Sequence, residues 1–206
     1  MKKTLIALLA LAGVAAAGTE ETITLQAAPQ TACSWQPEFG IDYLHGIGSG
    51  DHEIDMQGFR ASIGMTYNAN STFSHQFSLN AGYEFGEDEV QIGDIFSYKQ
   101  EVSKTTVTLG YDLNYAVSDK WKLFVGAKAG YASNHYETEV QNVFSASGTM
   151  DGYTYSVGGG VKYQISETAN LKAGYEFHRS FYGNNGNVGN IIINQHIISV
   201  GLGFQF

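Results

Sequence analysis

Between Pro37 and the end of the chain lie 169 residues without a single proline, and over that stretch apolar residues alternate with polar or small ones at a period of two. Such alternation belongs to a strand with one apolar face. Proline cannot donate to a strand ladder, so its absence suits a chain that is mostly paired sheet. The clearest run is 73–85. Phe73, Phe77, Leu79, Ala81, Tyr83 and Phe85 share one face, Ser74, Gln76, Ser78, Asn80, Gly82 and Glu84 the other, and His75 alone interrupts the apolar side. The same rhythm runs through 39–43, 59–67, 107–117, 121–131, 155–165, 171–177 and 196–206. Eight strands are predicted, joined by three short turns (68–72, 118–120, 166–170) and four long loops (46–55, 86–101, 133–152, 179–190). Even strand number with short and long connections alternating is the plan of an all-β, eight-stranded antiparallel up-and-down transmembrane β-barrel.

The two faces then have to be assigned to solvents. Charged residues are only 15% of the chain, against roughly a quarter in soluble domains. The apolar face is nearly free of charge. Aromatic residues gather at strand ends: Phe39, Tyr67, Phe73, Tyr115, Trp121, Tyr163 and Phe206 beside the short turns, Tyr83, Phe85, Tyr131, Tyr153 and Phe177 beside the loops. Two such rings are expected at two lipid–water interfaces, so the apolar face is predicted outward against lipid. The opposite face carries Asp42, Glu84, Asp112 and Glu176 with Arg60, Lys128, Lys162 and Lys172. These eight are the expected lumenal charge network. In so narrow a barrel side chains fill the interior, and buried charges must pair, so a polar plug is expected ahead of an open path. His75 and His196 fall on the lipid face, where an interfacial position is their one rationale.

The N-terminus reads as a secretory signal peptide over 1–17. Lys2 and Lys3 precede an apolar run from Thr4 to Val14, and Ala15-Ala16-Ala17 is a small-residue cleavage site. Residues 18–37 are expected to form a periplasmic N-terminal leader holding the lone Cys33, and 38–206 the barrel. A single cysteine excludes an internal disulfide framework, and the scattered histidines lack metal-ligand spacing. No metal or cofactor is expected. A net charge of -9 excludes generic nucleic-acid binding. The expected loops carry acids: Asp51, Glu53 and Asp55 in the first, Glu87, Asp88, Glu89, Asp94 and Glu101 in the second, Glu137, Glu139 and Asp151 in the third. Ordinary solubilising charge is the preferred reading, divalent-cation binding the other.

The last residues carry a resemblance. Ser199, Gly201, Phe204 and Phe206 match the C-terminal signal of outer-membrane proteins, and Gly-Tyr pairs recur at Gly82-Tyr83, Gly110-Tyr111, Gly130-Tyr131 and Gly174-Tyr175. Over 38–206 the chain resembles the small outer-membrane barrels of the opacity-protein, OmpA and OmpX group. The resemblance implies the cell outer membrane, contact with outer-membrane lipid and lipopolysaccharide, insertion by the barrel assembly machinery, and a host or cell-surface ligand at the loops. The peptidoglycan-binding domain of full-length OmpA proteins is not expected here. A structural, adhesion-type role without catalysis is expected, and a narrow pore for small solutes is the alternative. His178-Arg179-Ser180 resembles the His-x-Ser element of lipid A deacylases, but its parity points His178 into the lumen, away from any lipid substrate.

Overall fold

A computed structural model describes residues 34–49, 54–92, 96–140, 144–183 and 191–206. The predicted signal peptide, Cys33, the leader before Ser34, the acids Asp51, Glu53 and Asp94, and 184–190 lie outside the described residues. The strands are β1 (Ser34–Ser49), β2 (Asp55–Asn68), β3 (Phe73–Ile92), β4 (Phe96–Ala116), β5 (Trp121–Val140), β6 (Phe144–Gln164), β7 (Ala169–Gly183) and β8 (Ile191–Gln205). Each pairs antiparallel with its neighbours in sequence, and β1 closes on β8. Closure leaves no open edge, so the backbone satisfies itself, as a membrane requires. Following the pairs from Asp42 through Arg60, Gly82, Thr106, Ala132, Gly152 and Tyr182 reaches Ile191 on β8, ten residues from Gly201, the direct β8 partner of Asp42. That stagger tilts the strands and sets a bore that side chains can fill.

The three short turns share one device. Asn70 Oδ1 accepts from the Thr72 and Phe73 amides at 2.8 and 2.7 Å. Ser118 Oγ accepts from Trp121 N, and Ser166 Oγ from Ala169 N. Short polar side chains thus take the place of a backbone acceptor and hold the hairpin tight. At the same end of the barrel outward aromatic pairs face across neighbouring strands: Phe73 with Tyr115 at 5.3 Å between β3 and β4, and Trp121 with Tyr163 at 4.7 Å between β5 and β6. Trp35 and Tyr67 form a third such pair at 5.0 Å between β1 and β2. Trp35 and Pro37 therefore belong to β1, which begins four residues before the sequence boundary of 38. Pro37 is tolerated because its carbonyl, and hence its missing N–H, points toward β8 beyond the last paired residue there, Gln205.

The predicted faces hold on every strand. Ile63, Leu109, Val125 and Val157 are at least half exposed on the outside, while Asp42, Arg60, Glu84 and Glu176 are buried within. The two outward histidines have an account that sequence did not supply. His75 Nδ1 lies 2.8 Å from the Tyr111 hydroxyl, and His196 Nδ1 lies 2.6 Å from that of Tyr175. In both cases the tyrosine sits diagonally on the neighbouring strand, two residues from the histidine's direct partner, Leu113 or Phe177. Each tyrosine meets a ring nitrogen that would otherwise face an apolar surround.

The predicted long loops are a different matter. Most of 86–101 and 133–152 is paired strand: β3 and β4 stay in register to Ile92 and Phe96, and β5 and β6 to Val140 and Phe144. β4 has 21 residues, about twice the 9–11 that cross a bilayer at barrel tilt. The surplus forms a raised wall, tallest along β3 to β6. Glu87, Asp88, Glu89, Glu101, Glu137, Glu139 and Asp151 are wall residues, not loop residues. The patterning inverts on the way up. Below Ser103, β4 turns Val107, Leu109 and Tyr111 outward. Above it, Glu101 and Lys99 face out and Val102 faces in. β5 and β6 do likewise: His135, Glu137 and Thr149 face out, Tyr136 and Met150 in. The sequence reading mistook these polar-out runs for loops because it looked for apolar residues on the lipid parity.

Candidate functional site

The lumen is stacked in layers. At its centre Arg60, from β2, donates from Nε and Nη2 to Asp42 on β1 and from Nη1 and Nη2 to Glu176 on β7. The closest approaches are 2.7 Å to Asp42 and 2.9 Å to Glu176. Lys128, from β5, meets Glu176 at 2.7 Å, and Lys172 lies 3.9 Å from Asp42. Four walls are tied across the bore by charge-assisted hydrogen bonds, the strong class. Toward the short turns, Lys162 donates to Gln76 at 2.6 Å, and its ammonium and that of Lys172 lie 5.6 and 4.9 Å from the Phe124 ring centre. Phe124 fits because β6 and β7 present glycine there: a Cβ on Gly160 or Gly174 would meet its ring at 2.8 or 3.0 Å. At the bottom Glu38 accepts from Thr66 and Gln205. A void of about 10 Å³ among Thr66, Asn114, Lys122 and Lys162 has room for about one water.

Above the central layer lies a second polar cluster. Lys104 meets Glu84 at 3.2 Å, Gln195 Oε1 at 2.7 Å and His178 Nδ1 at 3.2 Å. Gln195 also donates to Glu84. His178 Nε2 contacts Thr154 Oγ1, which lies 3.0 Å from Ser180 Oγ. An ammonium has no lone pair, so Lys104 donates and His178 Nδ1 accepts. The ring proton then sits on Nε2 and points at Thr154. A nucleophilic hydroxyl needs a base with a free lone pair toward it, and this tautomer presents a proton instead.

The eight expected charges are all lumenal, but they do not form one network. Asp42, Arg60, Lys128, Lys172 and Glu176 join in the central layer. Glu84 belongs to the upper cluster, and Lys162 to the lower layer through an amide and a ring. Asp112 is buried without a direct ion pair among the described residues. Sequence reading missed Lys104 and Glu38. Lys104 sits on the same parity as Thr106 and Thr108, and continuing that parity three residues above Val107 would have found it. Glu38 was lost to the late start assigned to β1. At the C-terminus Ser199 and Gly201 face the lumen, the latter packed against Asp42, while Phe206 is outward and 77% exposed.

No curated protein matches this sequence. Among solved structures, the chain is similar to Ail, the attachment invasion locus protein of Yersinia pestis, at 12% identity and a TM-score of 0.46 over 84% of this chain and 97% of that one. The N-terminal β-barrel domain of Pseudomonas aeruginosa OprF is 17% identical, with a TM-score of 0.43 over 84% and 100%. The outer membrane enzyme PagL is 14% identical, with a TM-score of 0.49 over 78% and 97%. The sequence pattern of the outer membrane protein beta-barrel domain family matches residues 4–206, so the chain belongs to that family and is a β-barrel of the outer membrane.

Proposed function

We propose that this barrel is a closed, non-catalytic structural element of the outer membrane that presents its polar wall at the cell surface for adhesion-type contacts. The observation that carries the closed state is the central layer. Arg60 is shared between Asp42 and Glu176 across the bore, and Lys128 completes the lock from the opposite side. A solute path would have to break several buried charge pairs, and leaving a buried charge unpaired is strongly unfavourable. The lumenal charges thus act as a plug, and the tautomer of His178 supports the absence of hydrolase chemistry. Ser199, Gly201, Phe204 and Phe206 are the insertion signal read by the barrel assembly machinery, and lipopolysaccharide surrounds the outer face. The wall carries Glu87, Glu101 and Glu137 outward, so its surface partner is not a polyanion.

Planar-bilayer recording tests the plug. Wild-type protein is expected to give no steady conductance, and the Arg60→Ala, Lys128→Ala double variant to lose heat stability without opening large channels. Regular wild-type conductance steps would establish the pore alternative in its place. Adhesion is tested by binding of cells bearing the protein to host-matrix or bacterial surfaces, with 133–152 trimmed to a short turn as the control.

A further inference from the structure

Parity splits the His178-Arg179-Ser180 run across the barrel wall. His178 and Ser180 face the lumen, and Arg179 faces out. Of the 11 lysines and arginines, two on the described strands point outward, Lys99 and Arg179. Lys99 is neutralised on the wall by Glu87 and Glu101. The Arg179 guanidinium has no ion pair or hydrogen bond among the described residues. Its Nε is enclosed, but its two terminal nitrogens are not. They form the end-on fork that a guanidinium presents to an oxyanion. The guanidinium carbon lies 5.3 Å from the Phe181 ring centre, two residues nearer the loop, so the side chain leans up β7 toward the cell surface. No acid occurs between Phe177 and Gln195. Among the described residues, the outward faces of β6, β7 and β8 carry one acid, Asp151, and it is held by Ser133 and Tyr131 of β5. Arg179 pairs with Tyr155 on β6 and Asn194 on β8. The next outward line above joins Phe181 to the girdle residue Tyr153 and to Ile192, and the next below joins Phe177 to Val157. The cation thus sits at the outer edge of the lipid belt among apolar side chains. Hydrocarbon offers a guanidinium no acceptor, whereas the headgroup layer does.

We propose that Arg179 anchors a lipid site on the outside of β6 to β8, taking the phosphate of a phosphorylated outer-leaflet lipid whose acyl chains run down over Val157 and Phe177. The site deepens, and rests on, the reading that lipopolysaccharide surrounds the outer face. A phosphate without a cation of its own is preferred over a zwitterionic headgroup, because the patch carries an uncompensated positive charge and a headgroup ammonium would compete for the same phosphate. A free phosphate ion is disfavoured. One partly exposed guanidinium gains little from an ion that stays in water, and the apolar ring adds binding only to a ligand with acyl chains. Higher on the other side of the barrel Glu87, Glu101 and Glu137 face out and repel phosphate. The barrel therefore has one preferred side for anionic lipid.

The test is native mass spectrometry of the full barrel in a neutral detergent, titrated with dioleoyl phosphatidate. Dioleoylglycerol, with the same chains and no phosphate, and dioleoyl phosphatidylcholine are the comparisons. One phosphatidate is expected to bind more tightly than either by about 10-fold, the scale of a charge-assisted hydrogen bond. Arg179→Gln should remove that preference, and Lys99→Gln should leave it unchanged. Inorganic phosphate in large excess should not displace the lipid. Gel mobility of unheated samples identifies folded variants, and flotation with phosphatidylcholine vesicles, which neither variant should alter, checks the membrane belt independently. In a barrel that floats, equal binding of phosphatidate and dioleoylglycerol, a preference that survives Arg179→Gln, or displacement by inorganic phosphate would each overturn the lipid site alone. Wild-type protein that fails to float would overturn the belt and the site together.

Discussion

The belt and the wall are built from the same strands, yet they are opposite in section. In the belt, Leu109 and Val125 face out and Arg60 and Glu176 face in. In the wall, Glu101 and Glu137 face out and Val102 and Met56 face in. Nothing in the backbone changes between the two; β4 runs through both without a break in its pairing. What changes is the outside solvent. Hydrocarbon accepts apolar side chains and forces polar groups inward, whereas water does the reverse. A single barrel is therefore a membrane protein below Ser103 and a soluble-type barrel above it, and the crossover marks the outer interface. Tyr83, Phe85, Tyr131 and Tyr153, each 44–74% exposed, form the girdle near that level.

Substitutions can break this contrast at graded cost. The largest effect is expected inside the belt. Glu176→Ala strips Lys128 of its partner and Arg60 of one of two, and should destabilise the folded barrel by about 3–5 kcal/mol in urea titrations from lipid vesicles. Next comes the belt's outer face. Leu109→Arg should cost about 2–4 kcal/mol near the bilayer middle, while Thr149→Arg on the outer wall should stay within about 0.5 kcal/mol. Equal costs for that pair would erase the distinction. Gly174→Val tests the filling of the lower lumen: displacing the Phe124 ring should cost about 1–3 kcal/mol. A smaller destabilisation comes from Tyr111→Phe, which removes the hydroxyl that meets His75. A loss of about 1 kcal/mol is expected, and no change would mean that His75 is served by another group.

Period-two patterning was enough to read the strand number, the antiparallel order and the inward or outward sense of nearly every belt residue, because a residue's parity along a strand fixes its face whatever the neighbours are. The hairpin turns were legible for a similar local reason: Asn70, Ser118 and Ser166 act on amides within three residues. The wall was not legible in the same way. Its strands alternate too, but with reversed sense, and a reader who expects apolar residues outward sees only scattered acids. Pairing partners inside the bore were further out of reach. Parity placed Glu84 and Glu176 in one lumen, but which cation each meets depends on height along the axis, and height depends on a ten-residue stagger that accumulates around eight strands.

What the sequence by itself determined, then, is the cross-section: which side chains meet lipid and which meet each other, since that follows from alternation alone. What only the tertiary structure decided is the long axis. Closure and stagger bring Arg60 to Glu176, 116 residues away, and bring Lys104 to Glu84, Gln195 and His178. Ion pairs and cavities exist only where separate strands arrive at the same height, and no local pattern carries that height.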